Sequence, residues 1–110
     1  MAKDLGLAIL FDIYAPMLTD KQRDTLDLYY NEDLSLGEIA ETTGTTRQAV
    51  MNNIRKSELH LRELEEKLGL ADRSAKAEKL LTQLENMLSG DENADRSGVQ
   101  RLINEIRELL

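Results

Sequence analysis

Seven side chains between residues 46 and 56 have the chemistry to bind a nucleic acid if they share one helical surface. Arginine matches guanine or a phosphate with paired N–H donors, and glutamine and asparagine match the edge of adenine. A helix N-terminus with Thr45 or Thr46 can hold a phosphate. The same polar residue types also occur on ordinary solvated helix faces. The candidate nucleic-acid-binding residues are Thr46, Arg47, Gln48, Met51, Asn52, Arg55 and Lys56.

The residues before this stretch predict how its helix is presented. Ser35 and Glu38 have the spacing of a helix-capping box. Ala40 is small enough for a second helix to cross closely, and Gly44 tolerates the positive φ of a sharp turn. Val50, six residues after Gly44, would face back into the core. This pattern predicts a helix-turn-helix, whose second helix presents its first turns outward.

The rest of the chain predicts an all-α fold. Its 110 residues include one proline and few aromatic residues, and no stretch shows the period-2 alternation of a strand. We expect a helix-turn-helix bundle with a long fourth helix and a C-terminal helical hairpin. The first predicted helix spans about 4–14, the second runs from a Thr19 cap to about residue 30, and the third runs from a Ser35 cap to 43. The fourth runs from Thr45 or Thr46 to 68. Two further helices begin at about 72 and 99.

Hydrophobic spacing also predicts which helix faces are buried. In the first helix, the mostly apolar side at helical spacing consists of Leu5, Ala8, Ile9, Asp12 and Ile13. In the fourth helix, a narrow seam consists of Val50, Ile54, Ser57, Leu61, Leu64 and Leu68. We expect both faces to point into the core.

The chain is predicted to have two parts, a helix-turn-helix domain over 1–69 and a helical extension over 70–110. The extension carries two apolar seams separated by the polar loop SGDENADRSG at 89–98. An antiparallel hairpin would bury both seams, in part against the end of the fourth helix. These seams also allow homodimerisation through residues 72–110.

Charge is distributed unevenly along the sequence, which carries a formal net charge of −7. Residues 1–43 hold three basic and nine acidic residues, whereas 44–62 hold four basic residues and one acidic residue. The positive segment therefore coincides with the candidate binding helix. It supplies only a few phosphate contacts, so we expect one copy to bind weakly and with strong salt dependence. A second copy or a protein partner would have to supply the remaining affinity.

We find no pattern that predicts catalysis, a cofactor or a metal site. The sequence has no cysteine and no phosphate-binding glycine loop, and His60 has the spacing of a surface residue. The acidic stretch at 91–98 lacks the ligand spacing of a calcium loop. The N-terminal apolar run is short and flanked by Asp4 and Asp12, which predicts a helix and not a signal peptide. We expect a non-enzymatic, cytoplasmic protein without a membrane span.

Four stretches resemble the YlxM family of helix-turn-helix proteins associated with the signal recognition particle. They are LFDIYAPMLTDKQ (10–22), LYYNEDLSLGEIAE (28–41), TRQAVMNNIRKSE (46–58) and LEEKLGL (64–70). The resemblance implies a bacterial protein with a fold like that of sigma factor region four. It also implies a regulatory or accessory role in the signal recognition particle pathway, with DNA or the particle's RNA, and a particle protein, as candidate partners.

A second hypothesis comes from a different functional class. The chain would be an acidic adaptor whose helices dock on a protein, with the helix-turn-helix serving only as a scaffold. Leu59 favours this alternative, because it is apolar on the otherwise polar face of the fourth helix. Salt-dependent binding to a nucleic acid would distinguish the first hypothesis from the second.

Overall fold

The computed structural model describes residues 3–89 and 96–110, and within these ranges it contains helices and their connections without strands. The all-α prediction is therefore confirmed. A 3₁₀ turn at Ala15–Met17 follows the first helix, and a π-helical turn at Asp27–Asn31 follows the second. The α-helices are α1 (Leu5–Tyr14), α2 (Asp20–Leu26), α3 (Leu36–Thr43), α4 (Arg47–Leu68), α5 (Leu70–Ser89) and α6 (Arg96–Leu109).

Side-chain caps start the helices of the N-terminal part where the sequence predicts them. Ser35 Oγ accepts from the Glu38 N–H at 3.2 Å, and Glu38 Oε1 accepts from the Ser35 N–H at 3.0 Å. The equivalent pair at α2 joins Thr19 and Gln22. At α4 the capping residue is Thr46, whose Oγ1 accepts from the Ala49 N–H at 3.0 Å. These bonds satisfy backbone donors that have no partner within the helix.

The chain divides into two compact units, Met1–Gly69 and Leu70–Leu110. In the first unit, α4 packs against α1, α2 and α3. The predicted seam of α4 points into this core: Val50, Ile54, Ser57 and Leu61 are buried. Leu64 is half-buried and Leu68 is exposed, so the burial fades toward the end of the helix.

The predicted buried face of α1 is wrong. Leu7, Phe11 and Tyr14 are buried, whereas Leu5 and Ile9 are exposed. Apolar residues lie on nearly all sides of this helix, so their spacing does not single out one face. The face with the two aromatic rings is buried because these rings remove the most apolar area from water.

The end of α2 also differs from the predicted regular helix. After Leu26 the backbone widens into the π-helical turn, and Asp33 adopts a φ of 55° before α3 begins. Tyr29 is buried and Tyr30 is half-buried beside it, with ring centroids 5.0 Å apart. Tyr29 therefore contributes to the core, and Tyr30 packs against it at the edge.

In the second unit, α5 and α6 pack on each other. Side chains from the first half of α5 and the end of α6 line one groove, among them Lys76, Leu80 and Leu109, so the two helices are antiparallel. Helix α5 begins at Leu70, two residues before the predicted cap Asp72, because the chain re-enters a helix directly after Gly69. Residues 90–95, which include most of the predicted polar loop and of the acidic stretch, lie outside the described residues.

Candidate nucleic-acid interface

A tight turn between α3 and α4 creates the predicted helix-turn-helix. Gly44 adopts a φ of 68°, and its N–H and that of Thr45 both donate to the carbonyl of Ala40. A Cβ at Gly44 would meet no atom within 4 Å, so backbone conformation, and not space, requires glycine here. Ala40 and Val50 are both buried on either side of the turn, as predicted.

The start of α4 is exposed to solvent. The candidates Thr46, Arg47 and Gln48 are all exposed, and so are the neighbouring residues 41–49 as a whole. Further along, Asn52, Arg55 and Lys56 are exposed, whereas Met51 is half-buried. Met51 therefore offers a ligand less of its surface than the other six candidates.

Three of the candidates form the outermost surface of α4. At 100° per residue, Gln48, Asn52 and Arg55 lie opposite the buried seam, in line with Leu59 and Arg62. Gln48 Nε2 donates to Asn52 Oδ1 at 3.3 Å, which orients both amides along the helix. We call these five residues the outer face of α4.

Two other candidates lie on opposite flanks of this outer face. Arg47 runs along α3: its Cδ and Nε would lie 3.9 Å from a Cβ placed on Gly37. Lys56 lies on the side of α2, where it lines a shallow cleft with Thr19 and Lys21. The two cations thus extend the positive surface sideways in both directions from Arg55.

Lys21 is a cation at this site that the sequence analysis missed. It lines a cleft of about 360 Å³ at the turn, together with Thr43 and Thr45, and it also lines the cleft that contains Lys56. Asp24 lines the first cleft as well and reduces its positive potential. No local signal marks Lys21, because only the packing of α2 on α4 brings it beside the turn.

Asn53 holds α2 in this position. Its Nδ2 donates to Thr25 Oγ1 at 3.0 Å and to the Lys21 carbonyl at 3.5 Å. The buried Ser57 hydroxyl donates to the Asn53 carbonyl at 2.7 Å and lies 3.0 Å from Asn53 Oδ1. This network uses the Asn53 amide inside the protein, so Asn53 supports the site and does not face a ligand.

The cations of α4 are not neutralised by neighbouring carboxylates. Among the described residues, none of Arg47, Arg55 and Lys56 lies in an ion pair. The acidic residue of this segment, Glu58, accepts a hydrogen bond from the Tyr30 hydroxyl on the flank of the helix. Burial raises the pKa of Tyr30, and the Glu58 carboxylate raises it further, so Tyr30 stays a donor at neutral pH.

The described residues contain no group of three His, Asp or Glu side chains placed to hold a metal ion. His60 is half-buried on the flank of α4. Across 3–89 and 96–110, every helix is too short or too polar to cross a membrane.

Comparisons with known proteins agree with this architecture. The family described as "Putative helix-turn-helix protein, YlxM / p13 like", UPF0122, matches residues 1–103. UPF0122 proteins of Bacillus cereus and Bacillus anthracis are 38% identical over 109 residues, which cover 99% of this chain and 98% of theirs. A UPF0122 protein of Bacillus thuringiensis subsp. konkukian matches to the same extent. The chain therefore belongs to the UPF0122 family of YlxM/p13-like helix-turn-helix proteins.

Proposed function

We propose that this protein is a non-enzymatic nucleic-acid-binding protein that uses the outer face of α4 and its cationic flanks. The observation that carries this proposal is the exposure of Arg47, Arg55 and Lys56 on the helix after the Gly44 turn. The same segment has a net charge of +3, four basic residues against one acidic, in a chain that is otherwise acidic.

The positions of the side chains assign them different tasks in such a complex. Gln48, Asn52 and Arg55 project furthest and would reach base edges in a groove. Arg47 and Lys56 on the flanks, with Lys21 beside the turn, would contact phosphates on the two strands. Phosphate contacts provide affinity without sequence preference, so most of the binding energy of this surface would be nonspecific.

A single copy has few cations with which to contact phosphates. Each neutralised phosphate of duplex DNA contributes about −0.9 to the slope of log affinity against log salt concentration. The three proposed phosphate contacts, Arg47, Lys56 and Lys21, thus correspond to a slope of about −2.7, a modest footprint for a specific complex. We therefore include homodimerisation through residues 72–110 in the proposal, because a second copy doubles the positive surface. The exposed leucines of α5, Leu81 and Leu88, support this pairing.

The cellular setting of the proposal comes from the family resemblance. The resemblance to the YlxM family implies a link to the signal recognition particle, so the proposed role is that of a cytoplasmic accessory or regulatory component of this pathway. The particle's RNA is then the first ligand to compare with duplex DNA. RNA helices have a deep, narrow major groove that side chains cannot read, so RNA binding would rely on backbone contacts and on unpaired bases.

The test is a fluorescence anisotropy titration of duplex DNA and of signal recognition particle RNA at several salt concentrations. We expect Arg47→Ala/Arg55→Ala to weaken binding at least ~10-fold and to reduce the salt slope on duplex DNA by about 1, because Arg47 is the proposed phosphate contact of the two. The control is Lys67→Ala, which removes an exposed cation from the last turn of α4, outside both the proposed interface and residues 72–110. An equal loss in this control, or no binding at low salt, would contradict the proposal.

One observation favours the adaptor as the second candidate function. Leu59 is 55% exposed and lies on the outer face of α4, in line with Asn52 and Arg55. A leucine there gains nothing from a phosphate backbone but would contribute apolar contact to a protein partner. If no nucleic acid binds at low salt, the adaptor function remains. Binding of signal recognition particle proteins to the wild type and to Leu59→Gln would then test it.

A further inference from the structure

The side of α1 that faces away from the core exposes large apolar side chains. Leu5 is 77% exposed and Ile9, one turn later, is 50% exposed. Both lie opposite the buried residues Leu7 and Tyr14. Exposed apolar residues are ordinary when isolated, but neighbouring ones on an otherwise polar surface are typical of contact sites.

An acidic groove borders the C-terminal half of α1, where Asp12 follows Ile9 by three residues on the same side of the helix. It has a volume of about 360 Å³ and lies between α1 and the segment from α2 to the π-helical turn. Asp12, Asp24 and Asp27 all line it, against the single cation Arg23. The guanidinium of Arg23 is already ion-paired with Asp20, so the groove carries an excess of negative charge.

We propose that this α1 surface docks a cationic amphipathic helix of a protein partner. The apolar side of that helix would lie on Leu5 and Ile9, and a lysine or arginine beside it would enter the groove toward Asp12 and Asp24. The charge of the region supports this occupant, because residues 1–43 have nine acidic and three basic residues. Such a surface attracts a basic partner and repels an acidic one or a nucleic acid.

A second copy of this chain is a poorer fit to the surface. Its own cationic surface is the outer face of α4, which carries one exposed leucine and not an apolar stripe. A contact between α1 of one copy and α4 of the next would also be heterologous, and it would build an open chain of molecules unless it closed into a ring. A helix of a separate protein can carry both cations and an apolar stripe, and its binding does not build a chain of molecules.

The apolar part of the proposed docking surface, Leu5 and Ile9, is separate from the nucleic-acid surface, whereas Asp24 lines both the acidic groove and the cleft beside Lys21. Helix α1 packs against α4 through buried side chains such as Phe11 and Ile54. The outer face of α4 lies on the opposite side of that helix from its buried seam. Leu5, Ile9 and the outer face of α4 are therefore exposed at the same time.

The test uses the full chain and a fluorescein-labelled 18-residue peptide of leucine and lysine at amphipathic helical spacing. A scrambled peptide of the same composition separates docking from general charge attraction. We expect the amphipathic peptide to bind the chain at least ~10-fold more tightly than the scrambled one, because only the former presents a continuous apolar stripe. Equal binding of the two peptides would overturn the proposal.

Two double variants then locate the peptide. We expect Leu5→Gln/Ile9→Gln to weaken binding ~10-fold by removing apolar contact, and Asp12→Asn/Asp24→Asn to weaken it about threefold by removing charge. All four side chains are exposed, so helix content should stay unchanged. Leu59→Gln is the matched control, because this leucine is as exposed as Ile9 but lies on α4.

The proposal fails if Leu59→Gln weakens peptide binding as much as the α1 variants do. It also fails if Leu5→Gln/Ile9→Gln abolishes self-association of the chain in sedimentation experiments, because the surface would then be a contact between copies. Nucleic-acid titrations of Leu5→Gln/Ile9→Gln should remain unchanged, because both residues lie outside the proposed nucleic-acid interface.

Discussion

The two units of this chain bury their helices to very different degrees. In the N-terminal unit, four helices surround a core whose fully buried side chains include Tyr14, Leu26, Ile39 and Leu61. In the C-terminal unit, α5 buries none of its residues, and α6 buries only Gly98 and Leu102. Two helices can bury only the surface where they contact each other. Most of their apolar residues therefore lie at the edge of this contact and remain partly exposed to water.

The difference indicates how each unit obtains its stability. The N-terminal unit closes its own core, with α4 in contact with three other helices. The C-terminal hairpin leaves Leu81, Leu88 and Leu110 exposed. A unit of this size gains little from its own burial and depends on further cover, which is the physical reason for proposing that two copies pair there.

The largest expected effect is the loss of a core side chain from the N-terminal unit. Ile54 is completely buried, so Ile54→Ala should reduce the free energy of unfolding by about 2–5 kcal/mol. The matched change in the other unit is Leu84→Ala, at a half-buried position of α5, and it should cost clearly less. Urea unfolding followed by circular dichroism measures both free energies. Equal losses of stability in the two variants would contradict the difference in burial between the units.

The next prediction concerns pairing of the C-terminal units. Leu81→Lys/Leu88→Lys places charges on the exposed apolar side of α5 and should raise the dimer dissociation constant at least ~100-fold, because two leucines per copy lose their apolar burial. Sedimentation equilibrium measures the association. A wild-type chain that stays monomeric at high concentration would refute the pairing, and Leu59→Gln serves as a control outside this unit.

A smaller effect is expected at the glycines that end α3 and α4. Gly44 and Gly69 adopt φ values of 68° and 62°, and a Cβ at either would meet no atom within 4 Å. Alanine at each should therefore cost about 1–2 kcal/mol from backbone strain alone, and asparagine less. Thermal unfolding measures these losses. A neutral Gly44→Ala would show that the turn does not need the left-handed conformation.

The smallest expected effect is a change in pH dependence at the start of α3. The backbone N–H and then the hydroxyl of Ser35 lower the pKa of Glu38 below its ordinary value of 4.5. A lowered pKa in the folded state stabilises the protein above pH 4.5, and this stabilisation is lost as the pH falls through the lowered value. Glu38→Gln should therefore flatten the decrease in stability on acidification below pH 4.5.

The control for this last prediction is Glu41→Gln on the same helix, which removes an exposed carboxylate without removing the capping bond. Melting temperatures from pH 3 to pH 7 compare the two variants. If the melting temperature falls as steeply with decreasing pH in Glu38→Gln as in the wild type, the Glu38 carboxylate is not the cause of the pH dependence.

Several features of the site followed from the sequence, and others did not. The turn at Gly44, the Thr46 cap and the exposure of Arg47, Arg55 and Lys56 agree with expectation. Whether these residues bind a ligand stays a prediction. The half-burial of Met51 was not foreseen, because its position on the flank toward α3 depends on how α3 and α4 cross.

The sequence by itself determined the local events of this fold. Caps at Thr19, Ser35 and Thr46 and turns at Gly44 and Gly69 depend on bonds between residues at most five apart, so short patterns predict them.

Only the tertiary structure decided which side of α1 is buried and where Lys21 lies. The first depends on competition between apolar faces of similar strength, and the second on the hydrogen bond between Asn53 and Thr25, which are 28 residues apart. Such contacts follow from how whole helices pack, and no short pattern of residues contains that information.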